Sequence, residues 1–315
     1  DLIHGLAHVL PSRCSAAGIL TVHDTSLIDH PEWYPKTAKS FQTQILQGAR
    51  KANRILVPSE SVREKLVQTV SNWESKIRVI PHDLHFPVQI IPPDSKAEVR
   101  RHSLHIEDPY FFWTGEINPR KNIPLLFSLL VALQRSGYPR LKLLLSGSLG
   151  FHSETILQEG RLLGLRIRTE QDLIQENLAG TDFDVLLYGF VSEEKLSLLY
   201  ACAELFVFPS WDEGFGFPVL EAMSCGTPVL GSSLGSLPEL CQDCAMLHDP
   251  HRGVTPYIES ARSILENPAL SERYRESGYR RQQFYRTANM IKRTFQAYEE
   301  VLSPPNDELA GNINR

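Results

Sequence analysis

Short apolar runs alternate with longer amphipathic stretches along most of the chain, the pattern of strands and helices wound into parallel sheets. Leu2-Ile3-His4 is strand-like, and residues 18–22, 54–58 and 77–80 read as further strands. A helix is predicted over 38–53, and another over 61–70 with Ser59 as its N-cap. The alternation then lapses. Residues 87–94 hold three prolines and almost no helical signal, which reads as a stiff extended connector. Beyond it the same pattern restarts, with strands at 110–114, 141–145, 185–188, 205–208 and 228–230. Helices are predicted at 124–135, from Ser192 to near Cys202, at 218–225, at 255–265 and at 272–302. Residues 166–183 look like an insertion, read as an extra helix. The predicted organisation is a first α/β domain over 1–95 and a second over 96–285. A C-terminal helix over 286–302 packs back toward the first domain, and 303–315 forms a loose tail.

Composition narrows the function classes. Of the 315 residues, 42% are hydrophobic and 22% charged, enough apolar material for two cores. A net charge of -5 argues against a nucleic-acid binder. No apolar run approaches the ~18 residues of a membrane span, which leaves a peripheral membrane contact open. The five cysteines are odd in number and sparse, which fits a reducing cytoplasm rather than a disulfide scaffold. Cys241-x-x-Cys244 with His248 and His251 has poor spacing for zinc. A helix end followed by a buried strand at Ala245-Met246-Leu247 is the preferred reading. No obligate protein partner is evident.

Three loops between strands and helices carry the candidate chemistry. The most informative runs from Pro209 to Met223. Gly214 and Gly216 permit a tight turn and close approach to a ligand, and Pro218 suits a first helical turn. A helix start there favours an anion. Glu213 falls in the loop. Glu221, eight positions later, lies about one turn inside the helix, as a dipole partner or as an acceptor for a sugar diol. The second loop, Gly115 to Asn122, carries adjacent Arg120 and Lys121. They are a solvated basic pair or a diphosphate clamp, and the clamp gains weight because cations are unfavourable beside a helix N-terminus. The third is His23-Asp24, where His23 either faces a substrate hydroxyl or is structural. His4, His8, His82, His85, His102 and His105 are read as surface or packing residues.

These pieces resemble the retaining glycosyltransferases of family GT4, which have the GT-B fold. The resemblance is carried by Thr21-Val22-His23-Asp24, His30-Pro31-Glu32-Trp33-Tyr34-Pro35, Gly115 through Asn122, Gly189-Phe190-Val191-Ser192, the Glu213–Glu221 segment, Gly226-Thr227-Pro228-Val229 and Leu237-Pro238-Glu239. The His-Pro-Glu-Trp and Pro-Arg-Lys-Asn variants are most similar to mannosyltransferase-like members that build bacterial polysaccharides. The family implies two Rossmann-like domains facing a cleft and transfer of a hexose from a nucleotide diphosphate sugar, GDP-mannose being favoured. It also implies a saccharide or lipid-linked acceptor and no required metal or other cofactor. Glu213 would contact the donor sugar near the reacting centre, and Glu221 would hold the ribose. Arg120 and Lys121 would neutralise the diphosphate. Gly115, Gly214 and the backbone of Phe215, Gly216 and Phe217 would line the donor, with Phe190 and Val191 by the base and His23 facing the sugar. The family also implies strands ahead of Asp1, so the first domain is expected to be incomplete, and at position 116 Glu replaces the Arg of many members. A sugar phosphorylase or an epimerase of the same fold, or an inactive nucleotide-binding fragment, is the alternative reading.

Overall fold

A computed structural model describes residues 1–303 apart from 12, 14, 176–181 and 287–288. The expected tail, beyond its first residue, lies outside the described residues, as does Cys14. Eleven described strands form two sheets, and every strand pairing is parallel. The chain divides into two compact units, one built on residues 1–83 with the helix Asn289–Leu302 and the other on 84–286.

The first unit holds β1 (Leu2–Gly5), β2 (Ala17–Thr21), β3 (Arg54–Val57) and β4 (Ile77–Val79), in that order across the sheet. The two-residue period of a strand sends its apolar side chains to both faces. Leu20, Ile55 and Val57 enter one core with Val62 and Leu66, while Ile19 and Leu56 enter another with Ala297. Helices Lys39–Lys51 and Glu60–Thr69 follow β2 and β3, and the Ser59 hydroxyl caps the latter by accepting from the Val62 N–H at 3.2 Å. The helix Asn289–Leu302 covers the second face, and the Glu300 carboxylate accepts from Arg54 and Arg78. The 272–302 stretch is therefore not one helix. It divides into Pro268–Gln282, a 3-10 turn Gln283–Tyr285, and Asn289–Leu302. The first of these starts four residues early, because the Asn267 side chain accepts from the Leu270 N–H and Pro268 occupies the first turn.

In the second unit the sheet order is β11-β10-β9-β5-β6-β8-β7. Its strands are β5 (Tyr110–Thr114), β6 (Lys142–Ser146), β7 (Ile167–Thr169), β8 (Val185–Gly189), β9 (Leu205–Phe208), β10 (Val229–Ser232) and β11 (Met246–His248). The largely apolar runs β5 and β9 lie mid-sheet, buried on both faces, as hydrophobic strands in parallel sheets do. Leu84 and Phe86 belong to this unit's core, so the division between units falls ahead of the proline-rich connector. The insertion differs from its expected form. It opens with the edge strand β7, paired with β8, and continues as a short helix Glu170–Gln175. Its ends are pinned where Arg166 donates to Asp184 at 3.0 Å and to Asp182. Ile-Arg-Thr gives no apolar run, because an edge strand of three half-buried residues needs none.

Candidate functional site

The carboxyl ends of β5 and β9 sit side by side in the sheet, and the loops that follow them are stitched together. The Trp211 N–H donates to the Arg120 carbonyl at 2.9 Å, and the Asn122 amide donates to the Pro209 carbonyl at 3.2 Å. Asn122 closes the turn Pro119–Lys121 in the left-handed region, φ 52°, a conformation that Asn tolerates better than most residues. This turn directs Lys121 inward. Its Nζ donates to Glu213 Oε1 at 2.5 Å and lies 5.0 Å from the centroid of the Phe208 ring. Arg120 stands 3.9 Å from the other carboxylate oxygen. The Lys121 and Glu213 side chains are only 9% and 8% exposed, so this is a buried ion pair. Burial alone would raise the Glu213 carboxyl, but the Lys121 ammonium and then the Arg120 guanidinium overcome it and hold the group below the usual carboxylate range.

Behind Glu213 lies a segment that the sequence reading passed over. The Ser236 N–H donates to the Glu213 carbonyl at 3.0 Å, and its hydroxyl donates to the Phe215 carbonyl at 2.8 Å. Gly235, φ 62°, presses so closely that a Cβ there would stand 2.7 Å from the Glu213 backbone nitrogen. Gly216 is likewise held by packing. At φ 102° it precedes the helix Phe217–Ser224, and a Cβ would meet Leu237 at 2.7 Å. Gly214 and Phe215 are buried with it, while Phe217 is exposed. The short motif Leu-Gly-Ser at 234–236 was the available signal, but it looks like any surface turn.

Glu221 sits one turn into that helix, and its Oε2 accepts from the Tyr200 hydroxyl at 2.8 Å. Here burial prevails and raises the carboxyl, with the Tyr200 hydrogen bond opposing it and Glu193 adding to it. Tyr200 was missed because its helix reads as plain core. A buried tyrosine hydroxyl, however, needs a partner. Gly115 directly follows β5, and its N–H donates to the Ser146 carbonyl at 2.9 Å, while the exposed Glu116 accepts from the Asn118 amide at 2.8 Å. A cavity of about 280 Å³ opens at the carboxyl ends of β6, β7 and β8, lined by Ile117, Leu145, Leu187 and Tyr188 among others. Gly189 closes it, and the highly exposed Phe190 and the half-buried Val191 follow directly.

Glu213, Arg120 and Lys121 are thus brought into one cluster, with Gly214, Phe215, Gly216 and Phe217 in the same loop and Glu221 on the helix it opens. His23 belongs to the first unit. Its Nε2 donates to the Leu6 carbonyl at 2.7 Å and its Nδ1 pairs with His82 Nε2 at 3.2 Å. His4 and His82 join it around a second, mainly apolar cavity of about 300 Å³, and the His8 ring packs edge-on against His23. The sequence reading left these three histidines as surface or packing residues, and their grouping is a property of the sheet alone. Burial, then His23, pushes His82 down to about 4. No three His, Cys, Asp or Glu side chains among the described residues are grouped to hold a metal. Cys241 is buried in the second core, His248 meets the Ser260 hydroxyl at 2.7 Å, and His251 packs on Trp211. No helix among the described residues is long and apolar enough to cross a membrane.

Residues 94–281 match the family described as glycosyl transferases group 1. The chain belongs to the group 1 glycosyl transferases. A relative in this group is the O-antigen chain mannosyltransferase B of Escherichia coli, 32% identical over 256 residues, which cover 79% of this chain and 61% of that protein. The serotype-specific mannosyltransferase WbdA of Escherichia coli is 26% identical over 247 residues, covering 76% of this chain and 27% of the relative. The chain therefore spans less than two thirds of the length of either. Among solved structures, WaaG, a glycosyltransferase involved in lipopolysaccharide biosynthesis, superposes with a TM-score of 0.71 at 15% identity, over 96% of this chain and 78% of that one. Anabaena Alr3699/HepE in complex with UDP and glucose gives 0.70 at 18% identity, over 91% and 72%. At these identities the likeness concerns the fold, which is GT-B, with its two parallel sheets.

Proposed function

We propose that this group 1 protein transfers a hexose, mannose being favoured, from GDP-mannose to a saccharide or lipid-linked acceptor, with retention, in polysaccharide assembly. The observation that carries the reading is the buried cluster of Lys121, Glu213 and Arg120 at the carboxyl ends of β5 and β9. Ligands of open parallel sheets bind at such strand ends. The names of the mannosyltransferase relatives support mannose as the sugar.

In this reading the carboxylate holds two cations in place before the donor arrives. An entering diphosphate shares them, and as the sugar–phosphate bond breaks they stabilise the charge developing on the leaving group without metal assistance. Glu213, kept ionised by the same cations, faces the positive charge that develops on the sugar carbon. Glu221, one oxygen already taken by Tyr200, offers the other to the ribose diol. The backbone from Gly214 to Phe217, with Gly115, lines the sugar and phosphates. The 280 Å³ cavity beside Phe190 and Val191 takes the base. His23 is assigned to a substrate hydroxyl.

The test is incubation with GDP-mannose and an oligomannoside acceptor, with the product linkage read by NMR, beside Arg120→Ala. An α-linked product from wild type and a large loss of rate in the variant are expected. A β-linked product would remove retention, and an unchanged variant would remove the diphosphate role.

A further inference from the structure

The inserted stretch does more than widen the sheet. It carries Thr169, Glu170 and Gln171 onto the wall of the cavity at the ends of β6 and β8. The rest of that wall is largely apolar, from Ile117, Leu145 and Leu187. At about 280 Å³ the space lies just below the ~300–1,000 Å³ of ordinary ligand pockets, enough for a single ring system. Glu170 is the charged residue of this lining, and it does not stand alone. Its Oε1 accepts from Lys195 Nζ at 2.8 Å, and that ammonium lies 4.4 Å from the centroid of the Tyr188 ring, itself part of the lining. The helix Glu193–Cys202 supplies Lys195, so two separate elements place an acceptor and a donor next to each other beside an apolar slot.

We infer that Glu170 and Lys195 read the hydrogen-bonding edge of a guanine. Lys195 donates to O6, and the Glu170 carboxylate accepts from N1–H and the 2-amino group. The inference rests on the donor-site reading proposed above. The complementarity is selective. A carboxylate only accepts and an ammonium only donates. Uracil presents acceptor, donor, acceptor, so its O2 would face the carboxylate. Adenine presents an amino donor toward the ammonium and a bare nitrogen toward the carboxylate, wrong at both places. Among these three bases, guanine alone offers one acceptor followed by two donors.

The test is calorimetric titration of the whole chain with GDP, UDP and inosine diphosphate, which keeps O6 and N1–H but lacks the 2-amino group. Wild type is expected to bind GDP about tenfold or more tightly than inosine diphosphate, the usual worth of a bidentate base contact. Glu170→Gln, which sets an amide N–H₂ against the 2-amino group, should bring that ratio close to one. Lys195→Met should weaken both nucleotides alike, because both carry O6, and leave the ratio unchanged. Equal wild-type affinity for the two purines, or an unaltered ratio in Glu170→Gln, would overturn the inference while leaving the donor site standing. Failure of all three nucleotides to bind wild type would remove the donor site and this inference with it.

Discussion

At the carboxyl ends of β5 and β9, charge is buried and answered by charge; around the carboxyl ends of β1 to β4, the half-buried His4, His8 and His82 are held back from protonation. In the second unit Lys121 and Arg120 compensate Glu213, and against its burial they hold its carboxylate ionised. In the first unit the neighbours are mostly other imidazoles, hydroxyls and apolar side chains. His4 meets the Tyr298 hydroxyl and Thr21, each at 2.8 Å, and His23 meets His82 and the Leu6 carbonyl. That carbonyl can only accept, so His23 Nε2 carries a proton, and the tautomers of the two rings decide which nitrogen donates in the His23–His82 contact. One arrangement suits a ligand whose own charge must be met. The other suits a neutral, hydroxyl-bearing one.

The comparison is broken most forcefully by removing one member of the buried pair. Glu213→Ala leaves the Lys121 ammonium in a nearly closed site, a loss of about 3–5 kcal/mol for an uncompensated buried charge. Glu213→Gln keeps an acceptor for Lys121 and should cost distinctly less. Denaturant unfolding followed by tryptophan fluorescence measures both. A Glu213→Ala protein as stable as wild type would show that the pair does not hold the loops together. Loss of activity in that variant is therefore a mixed signal, and the Arg120 variant is the cleaner test of chemistry.

A smaller effect is expected at Gly235, behind the same carboxylate. Gly235→Ala must accept both a left-handed backbone and a methyl 2.7–2.8 Å from the Glu213 main chain, which cannot move aside as a side chain would. Gly253 provides the comparison, since at φ 75° a Cβ there would meet nothing within 4 Å. Gly253→Ala should cost only the conformational term, about 1–2 kcal/mol, and Gly235→Ala should exceed it. Equal melting temperatures for the two variants would mean that the loop gives way, and that Glu213 is less firmly seated than its neighbours imply.

Much of this was legible in the chain, for identifiable reasons. Ten of the eleven described strands were marked by apolar runs because a parallel strand is buried on both faces. Glu213 with Lys121 and Arg120 was legible because glycines, a proline and charges stand together after such runs. What escaped is of another kind. β7 is an edge strand with no apolar signature, Gly235 and Tyr200 act through partners 22 and 21 positions away, and the four histidines come together only across a sheet. The lack of a local signature, not weakness of the contact, hid them.

The smallest effect follows from the histidines, and it separates the two units by pH. Burial, then His23, lowers His82 from the ordinary 6.5 to about 4, and burial shifts His4 and His8 the same way. Between those values the unfolded chain binds protons that the folded first unit refuses. Its stability should therefore be full above about pH 6.5 and fall as pH drops toward 4. Glu213 is stabilised in its charged form instead, so its contribution is full above about 4.5 and is lost only as the pH falls from there through its depressed value. On mild acidification the first unit should loosen before the second. Hydrogen exchange by mass spectrometry at pH 7, 6 and 5, corrected for intrinsic rates, should show protection falling in β1 to β4 while β5 and β9 hold. In His82→Asn, which cannot take up the proton, the slope should flatten. If both sheets lost protection together, or the variant kept the full slope, the neutral histidines would not be what distinguishes the first unit.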